Sequence, residues 1–404
     1  MRSLTLTLVL LLTSSASPKT LVVDPNGSGD HTSLQAAIDA ATAGDVLQVV
    51  GGTYLTITVD KPLTIVAEPR ATIRPAPAFP ATLCSHCGFV CQCPAVTLAG
   101  PGATGTVALV NLEIGGAWDG SFFSNGGNGI YGGGFAELHV SRCHVFGAIP
   151  EWITGSAKST QAIHVAGSLP LITATASTIE AGPSDSLYYT TPSYSGRAAI
   201  DAPTSTVVLL DSLVRGGDVA SPYILGPGST LPPGPCPCPS IPDGEGGPGI
   251  VAQTLFEAGS VVLGGKGQDV YDGTTSSTWP LPPFGKQPDG PPTVVQNHHP
   301  LAQDLVSSGP VALGKPWTLS WLTPSGGGLL FLSLAAGVPT HDPTAGWLFL
   351  DPAPPLAAVP IAGGPGYLTL TVPADPGLLG LTTCLQAYDA SYGLSRPVIE
   401  VVVP

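Results

Sequence analysis

Charge is scarce in this sequence. Only 10% of its 404 residues are charged, with 13 Lys+Arg against 27 Asp+Glu and a formal net charge of −14. A thin acidic balance of this kind argues against a nucleic-acid partner, which is met by clustered basic residues. Long apolar runs are also lacking. Beyond the N-terminus the best, Leu329 to Ala336, is far too short to cross a bilayer. Glycine (52) and proline (44) are abundant. Disorder requires low hydrophobicity with high charge, and with 43% apolar residues this chain has the reverse. It is expected to fold, with many turns and ordered loops.

Met1-Arg2, the apolar stretch Leu4 to Leu12 and the small residues Thr13-Ser14-Ser15-Ala16 have the layout of a secretory signal peptide, residues 1–16, cut after Ala16. The mature chain is therefore expected to be secreted and not membrane-spanning. Export changes how the eight cysteines read. Cys84, Cys87, Cys91 and Cys93 crowd one segment, and Cys236 and Cys238 lie in a proline-rich loop. In an oxidising compartment such clusters are disulfide candidates. Zinc on Cys84, His86, Cys87 and Cys91 is the alternative, against which the remaining spacings are too tight for a usual finger. Cys143 and Cys384 fall inside apolar strand patterns and read as buried thiols.

Two phrases recur through the middle of the chain. One is a small residue before Ile or Val: PAVTL at 94–98, NGIYG at 128–132, QAIHV at 161–165, AAIDA at 198–202 and PGIVA at 248–252. The other alternates and ends near Gly, with anchors Ile114, Val145, Ile179 and Val214 spaced 31, 34 and 35 residues apart. No helical pattern lies between. Short β-branched strands at a drifting period suit a parallel β-solenoid, with an antiparallel sandwich as the rival. The same order of phrases in every period favours the solenoid. Ahead of it, Leu34, Ala37, Ile38 and Ala41 share a helical face, with Thr32 and Gln35 as a capping box and Gly44 as the stop. Such a helix covers the open end of the first coil.

Residues 22–67, VVDPNGSGDHTSLQAAIDAATAGDVLQVVGGTYLTITVDKPLTIVA, resemble the opening of the pectin lyase-like right-handed parallel β-helix superfamily, as seen in pectin methylesterases. The resemblance implies an all-β, secreted right-handed β-helix over 20–272 and, often, action on acidic polysaccharide. It also implies that the outer face of the Gly-Ile strands carries the site in the family's enzymes. The outward positions there are Thr97, Tyr131, His164, Asp201 and Val251. His164 beside Asp201, with Tyr131, is the catalytic candidate, because a carboxylate can orient and charge an imidazole; a solvated surface pair is the plainer alternative. The second phrase presents Asn111 with Arg142 and Asp211, Glu113 beside His144, and Glu180 beside Arg215, read as sheet-stabilising pairs. Inward neighbours are Leu112, Cys143, Ser177 and Ser212.

Segments 115–128, 147–160, 181–197 and 217–248 link the second phrase to the next Gly-Ile strand. They carry Trp118, Phe122, Phe123, Trp152, Tyr188, Tyr189, Tyr194 and Tyr223, eight of the 26 aromatics. Trp118, Trp152, Tyr188, Tyr189 and Tyr194 are the candidate ligand-binding residues, since flat aromatic faces suit sugar rings. The family's enzyme signatures are missing. Asn128, Gln161 and Ala198 stand where polygalacturonases place acids, and there is neither Gly-His-Gly nor Arg-x-Lys. The methylesterase pattern has one echo, Leu313 to Trp317, with Lys315 where Arg is expected. A lyase of this fold uses Ca²⁺, for which Asp201, Asp211 and Asp218 are candidates by type; otherwise no cofactor or metal is implied.

Residues 273–308 read as a Pro-rich linker. Six short strand patterns between Trp317 and Val403 suit a C-terminal β-sandwich over 309–404, similar to modules on secreted bacterial proteins. The expected function is a secreted β-helix that binds an extracellular polysaccharide or cell-surface component, or builds such a surface. The alternative is a divergent lyase, hydrolase or esterase built on His164 and Asp201.

Overall fold

The computed structural model describes residues 18–75, 94–102, 104–116, 127–148, 160–183, 196–218, 246–266, 290–301, 305–333, 336–343, 345–350, 357–389 and 393–404. The signal-peptide residues, the Cys84–Cys93 and Cys236/Cys238 clusters and the five aromatic ligand candidates lie outside them.

The chain is a parallel β-helix followed by a separate, mostly antiparallel sheet. Three strand faces repeat in each coil. Face 1 contains Ile57–Val59, Val96–Ala99, Ile130–Gly133 and Ile163–Val165, then the starts of Ile200–Leu210, Ile250–Ala258 and Thr293–Pro300. Face 2 begins with Thr20–Val23 and Val46–Val49 and includes Glu137–Ser141 and Leu171–Thr175. Face 3 includes His144–Phe146, Thr178–Glu180, Leu213–Arg215 and Val261–Leu263. Among the described residues every pairing between successive coils is parallel, with register shifts between Val66 and Ala71 and between Ala202 and Thr206. Ile57, Val96, Ile130, Ile163, Ile200 and Ile250 form one inward column, none more than 2% exposed. Ile73, Ile114, Val145, Ile179 and Val214 form another. Each such side chain contributes roughly 1.5–3 kcal/mol by leaving water, and the two recurring phrases are these columns written along the chain.

The corner between faces 2 and 3 is a second ladder. Asn111, Arg142, Ala176 and Asp211 all take left-handed backbone, φ 47 to 55°, and Gly259 follows at φ 64°. The next residue in each coil points inward, as expected for Leu112, Cys143, Ser177 and Ser212, none more than 3% exposed. Cys143 N–H donates to Ser177 Oγ (3.1 Å), Ser177 N–H to Ser212 Oγ (3.1 Å) and Ser212 N–H to Ser260 Oγ (3.0 Å). Each hydroxyl also donates to the carbonyl two residues back in its own coil. A buried turn thus satisfies its backbone donors through stacked side chains.

The ends are closed differently. The helix Leu34–Ala40 buries Leu34, Ala37 and Ile38 over the first coil. Its N-cap is Ser33, accepting from Ala36 N–H, rather than Thr32. Gln35 instead clips the cap to face 1, its amide accepting from Thr58 N–H (2.7 Å) and donating to Thr58 C=O (3.2 Å). At the far end Leu209 stacks on Glu257 and Leu255 on His298. Glu257 and His298 end the core columns in contact at 3.1 Å, a polar closure of a solenoid.

The expected boundaries shift. Thr293–Pro300 is a further coil, paired in parallel with Ile250–Ala258, and Leu305–Ser307 pairs antiparallel with Pro316–Ser333. Residues 293–300 and 305–307 therefore belong to the two folded units, not to a linker, and the β-helix runs on to Pro300 rather than ending at 272. An edge coil tolerates prolines at its margins, which disguised this strand.

In the C-terminal sheet, Pro316–Ser333 pairs with Ala357–Thr371 and Thr382–Asp389, and the latter with Val398–Val403. This unit has its own core around Trp317, Leu319, Leu330 and Leu385. It also lies on face 2. Leu171, Val208, Leu210 and Phe256 pack against Phe349, Leu350, Cys384 and Ile399. Val46, Val66 and Val110 pack against Leu379, Val401 and Val403. The Arg396 guanidinium grips both oxygens of Asp211 (3.0 and 2.8 Å), and Arg142 meets Glu400 at 2.6 Å. Cys143 and Cys384 are free and buried.

Candidate functional site

Face 1 places the three catalytic candidates in one line. Tyr131, His164 and Asp201 are direct register partners on successive coils, preceded by Thr58 and Thr97 and followed by Val251 and Val294. Their neighbours Ile130, Ile163 and Ile200 are anchored in the core, so the alternation of the strand forces these side chains outward. Gly132 sustains the close stacking: it has φ 118°, and a Cβ there would lie 2.0 Å from Leu98 O.

His164 Nδ1 lies 2.9 Å from Asp201 Oδ2, and Gln161 Nε2 donates to the same oxygen at 3.3 Å. The hydrogen bond from His164 lowers the Asp201 carboxyl below its ordinary value, against the opposing effect of burial, with help from Gln161 and the charge of Arg197. Tyr131 is 39% exposed and stacks on His164, ring centroids 5.6 Å apart and planes 23° from parallel. The result is a stack of two rings beside a fixed carboxylate and a carboxamide. It can support the apolar face of a ring and hydrogen-bond its substituents.

The chemistry of the row is limited by its electrostatics. A general acid needs a raised pKa, and Asp201 is held ionised. It can orient His164 as a base, but the row supplies no second carboxylate. The Ca²⁺ candidates do not converge. Asp201 is tied to His164, Asp211 to Arg396, and Asp218 receives Arg215 at 2.6 Å and the Lys266 N–H at 2.7 Å. Among the described residues no three His, Cys, Asp or Glu side chains are grouped to hold a metal ion, so Asp201, Asp211 and Asp218 do not together form a calcium centre.

Face 3 differs from the expected pairing. Glu113 is level with His144 but ion-pairs with Arg74. His144 Nε2 instead lies 3.1 Å from Glu180 Oε2, and Arg215, level with Glu180, turns to Asp218. These residues line an open groove of about 330 Å³. In the sequence they read only as sheet-stabilising pairs. The signal that they share a surface was their place one residue to either side of the inward anchors: Glu113 and His144 before Ile114 and Val145, Glu180 and Arg215 after Ile179 and Val214. Asn111, Arg142 and Asp211 occupy the corner, and Arg142 and Asp211 face the C-terminal sheet.

No helix among the described residues is long and apolar enough to cross a membrane. No family model matches the sequence, and no curated protein does. Among solved structures, the chain is similar to the full-length tailspike protein 2 (TSP2, ORF211) from Escherichia coli O157:H7 bacteriophage CAB120. Identity is 10%, over 97% of this chain and 69% of that one, with a TM-score of 0.27. A likeness so distant transfers no residue role, ligand or activity to this chain.

Proposed function

We infer that this protein is a secreted, pectin lyase-like β-helix that binds an extracellular polysaccharide along face 1 without cleaving it. The observation that carries this reading is the exposed line of Tyr131, His164 and Asp201, with two stacked rings beside an ionised carboxylate. Hydrolysis of a glycosidic bond calls for two carboxyl groups roughly 5–9.5 Å apart, one of them protonated, and this row offers one ionised acid. The aromatic residues Trp118, Trp152, Tyr188, Tyr189 and Tyr194 extend the same reading, as side chains that would meet further sugar rings.

The second reading, a lyase, hydrolase or esterase, is favoured by one feature: the 2.9 Å contact that would let Asp201 orient His164 as a base. A glycan panel separates the two. The secreted protein is passed over immobilised uronate and neutral polysaccharides, and incubated with the same polymers with and without Ca²⁺. Retention that is lost in Tyr131→Ala and weakened in Trp118→Ala or Tyr188→Ala, with no new products, is expected. New reducing ends, unsaturated products or methanol, abolished by His164→Ala, overturn the non-catalytic reading. Failure to retain any glycan overturns binding altogether.

A further inference from the structure

We propose that the groove on face 3 is a second saccharide site, separate from the Tyr131–His164 line and selective for uncharged, hydroxyl-rich sugars. It rests on the reading that the protein binds polysaccharide and adds where and which kind.

The groove is a product of the coil repeat. Gly115, Phe146, Glu180 and Arg215 are register partners on four successive coils, and Arg74 stands one coil earlier, immediately after Ile73, the partner of Ile114. At ~4.8 Å per coil this column extends for roughly 19 Å, long enough for an oligosaccharide. Gly115 makes room for its floor. A Cβ at that position would lie 2.3 Å from Phe146 Cζ, so any side chain there displaces the ring. Phe146 also packs against His144, centroids 4.9 Å apart, and beneath the Arg74 guanidinium, 5.3 Å from the ring centre.

The polar groups are paired and stay accessible. Arg74 with Glu113, His144 with Glu180, and Arg215 with Asp218 have side chains between 28% and 50% exposed. Exposed pairs of this kind add little to stability. What they provide is a set of planar carboxylates and guanidiniums held in place, the groups that hydrogen-bond adjacent hydroxyls two at a time. Two arginines against three acids leave the lining at 2 − 3 = −1 with His144 neutral, or zero with it charged. An anionic polymer gains no attraction there, and a phosphate has no unopposed cation to meet. A neutral pyranose has the complementary chemistry: hydroxyls for the charged rim and an apolar face for the half-buried Ala181 and Pro183.

Calorimetric titration of the full-length secreted protein tests this with cello-, malto- and mannohexaose and with hexagalacturonate. At least one neutral hexaose is expected to bind, and Glu180→Gln and Arg215→Gln should each weaken it roughly ten- to a hundredfold. Both variants are surface changes, and an unaltered melting curve shows that the fold is intact. Neutral binding unchanged in both variants, or binding confined to hexagalacturonate, overturns the proposal. If binding persists in both but is lost in Tyr131→Ala, face 1 stands as the glycan surface and the groove alone is rejected. If no oligosaccharide or polymer binds the wild type, the general reading falls with it.

Discussion

Ser177 shows how much one hydroxyl does in this molecule. It accepts from Cys143 N–H, donates to Thr175 C=O, and is itself 3% exposed. Ser177→Ala leaves that N–H buried without an acceptor and should cost about 1–3 kcal/mol, read as a lowered denaturant midpoint. An unchanged midpoint would mean the ladder contributes nothing. Cys143 occupies the equivalent place one coil earlier, its Sγ accepting from Leu112 N–H at 3.4 Å, and burial pushes its thiol up to about 12. The sequence indicated that these positions point inward. It did not reveal the ladder, because Cys143, Ser177, Ser212 and Ser260 lie 34, 35 and 48 residues apart and become neighbours only when coils stack.

At the scale of the element, the corner turn is the feature to test. Ala176 is exposed and holds φ 47°, a conformation costing an L-residue ~1–2 kcal/mol that glycine escapes. Glycine loses about 0.5–1 kcal/mol of this advantage to its greater unfolded-state freedom. Ala176→Gly should therefore leave stability equal or raised by up to ~1.5 kcal/mol, whereas a glycine in a strand would lower it. Gly259→Ala goes the other way. Its Cβ would fall 2.2 Å from Asp211 Oδ1 and 3.2 Å from Arg396 Nη1, so it should destabilise the chain and expose the C-terminal sheet to limited proteolysis. Equal protease resistance would contradict the role given to the Asp211–Arg396 contact. Asn, Arg, Ala, Asp and Gly share no side-chain chemistry that marks the turn in a single sequence; only their place in the coil is common.

For the whole molecule, the docking of the C-terminal sheet on face 2 carries a pH signature. Glu137 and His139 point out from face 2 and are buried, His139 near Arg142 and Glu137 near Cys384. Burial raises Glu137 from 4.5 to about 7, against hydrogen bonds from Thr173 and Thr106. Burial likewise raises Glu400 to about 7, with Arg142 pulling it back. Their contribution is present below pH 4.5 and lost as pH rises towards 7. His139, lowered by burial and by Arg142 to about 4, acts oppositely: its contribution is present above 6.5 and lost as pH falls. Two carboxyls outweigh one imidazole, so stability should decline from about pH 4.5 to 7. Glu137→Gln should flatten that decline by on the order of 3 kcal/mol at most. Melting curves across this range decide it, and parallel curves for the variant and wild type would refute it.

The coil is legible in the linear pattern. The periodic Ile and Val anchors, the small residues before them and the capping helix follow from local alternation and burial, which a linear pattern records directly. It also placed Tyr131, His164 and Asp201 on one face, since a period-2 strand leaves the residue after each anchor no other direction. The tertiary structure alone decided which charges meet. His144 with Glu180 rather than Glu113, Arg215 with Asp218, and Arg396 across 185 residues to Asp211 depend on side-chain reach between stacked coils. The coil at 293–300 and the C-terminal sheet on face 2 were likewise hidden, because a strand's membership and a face's partner are set by what packs against it and not by its own residues.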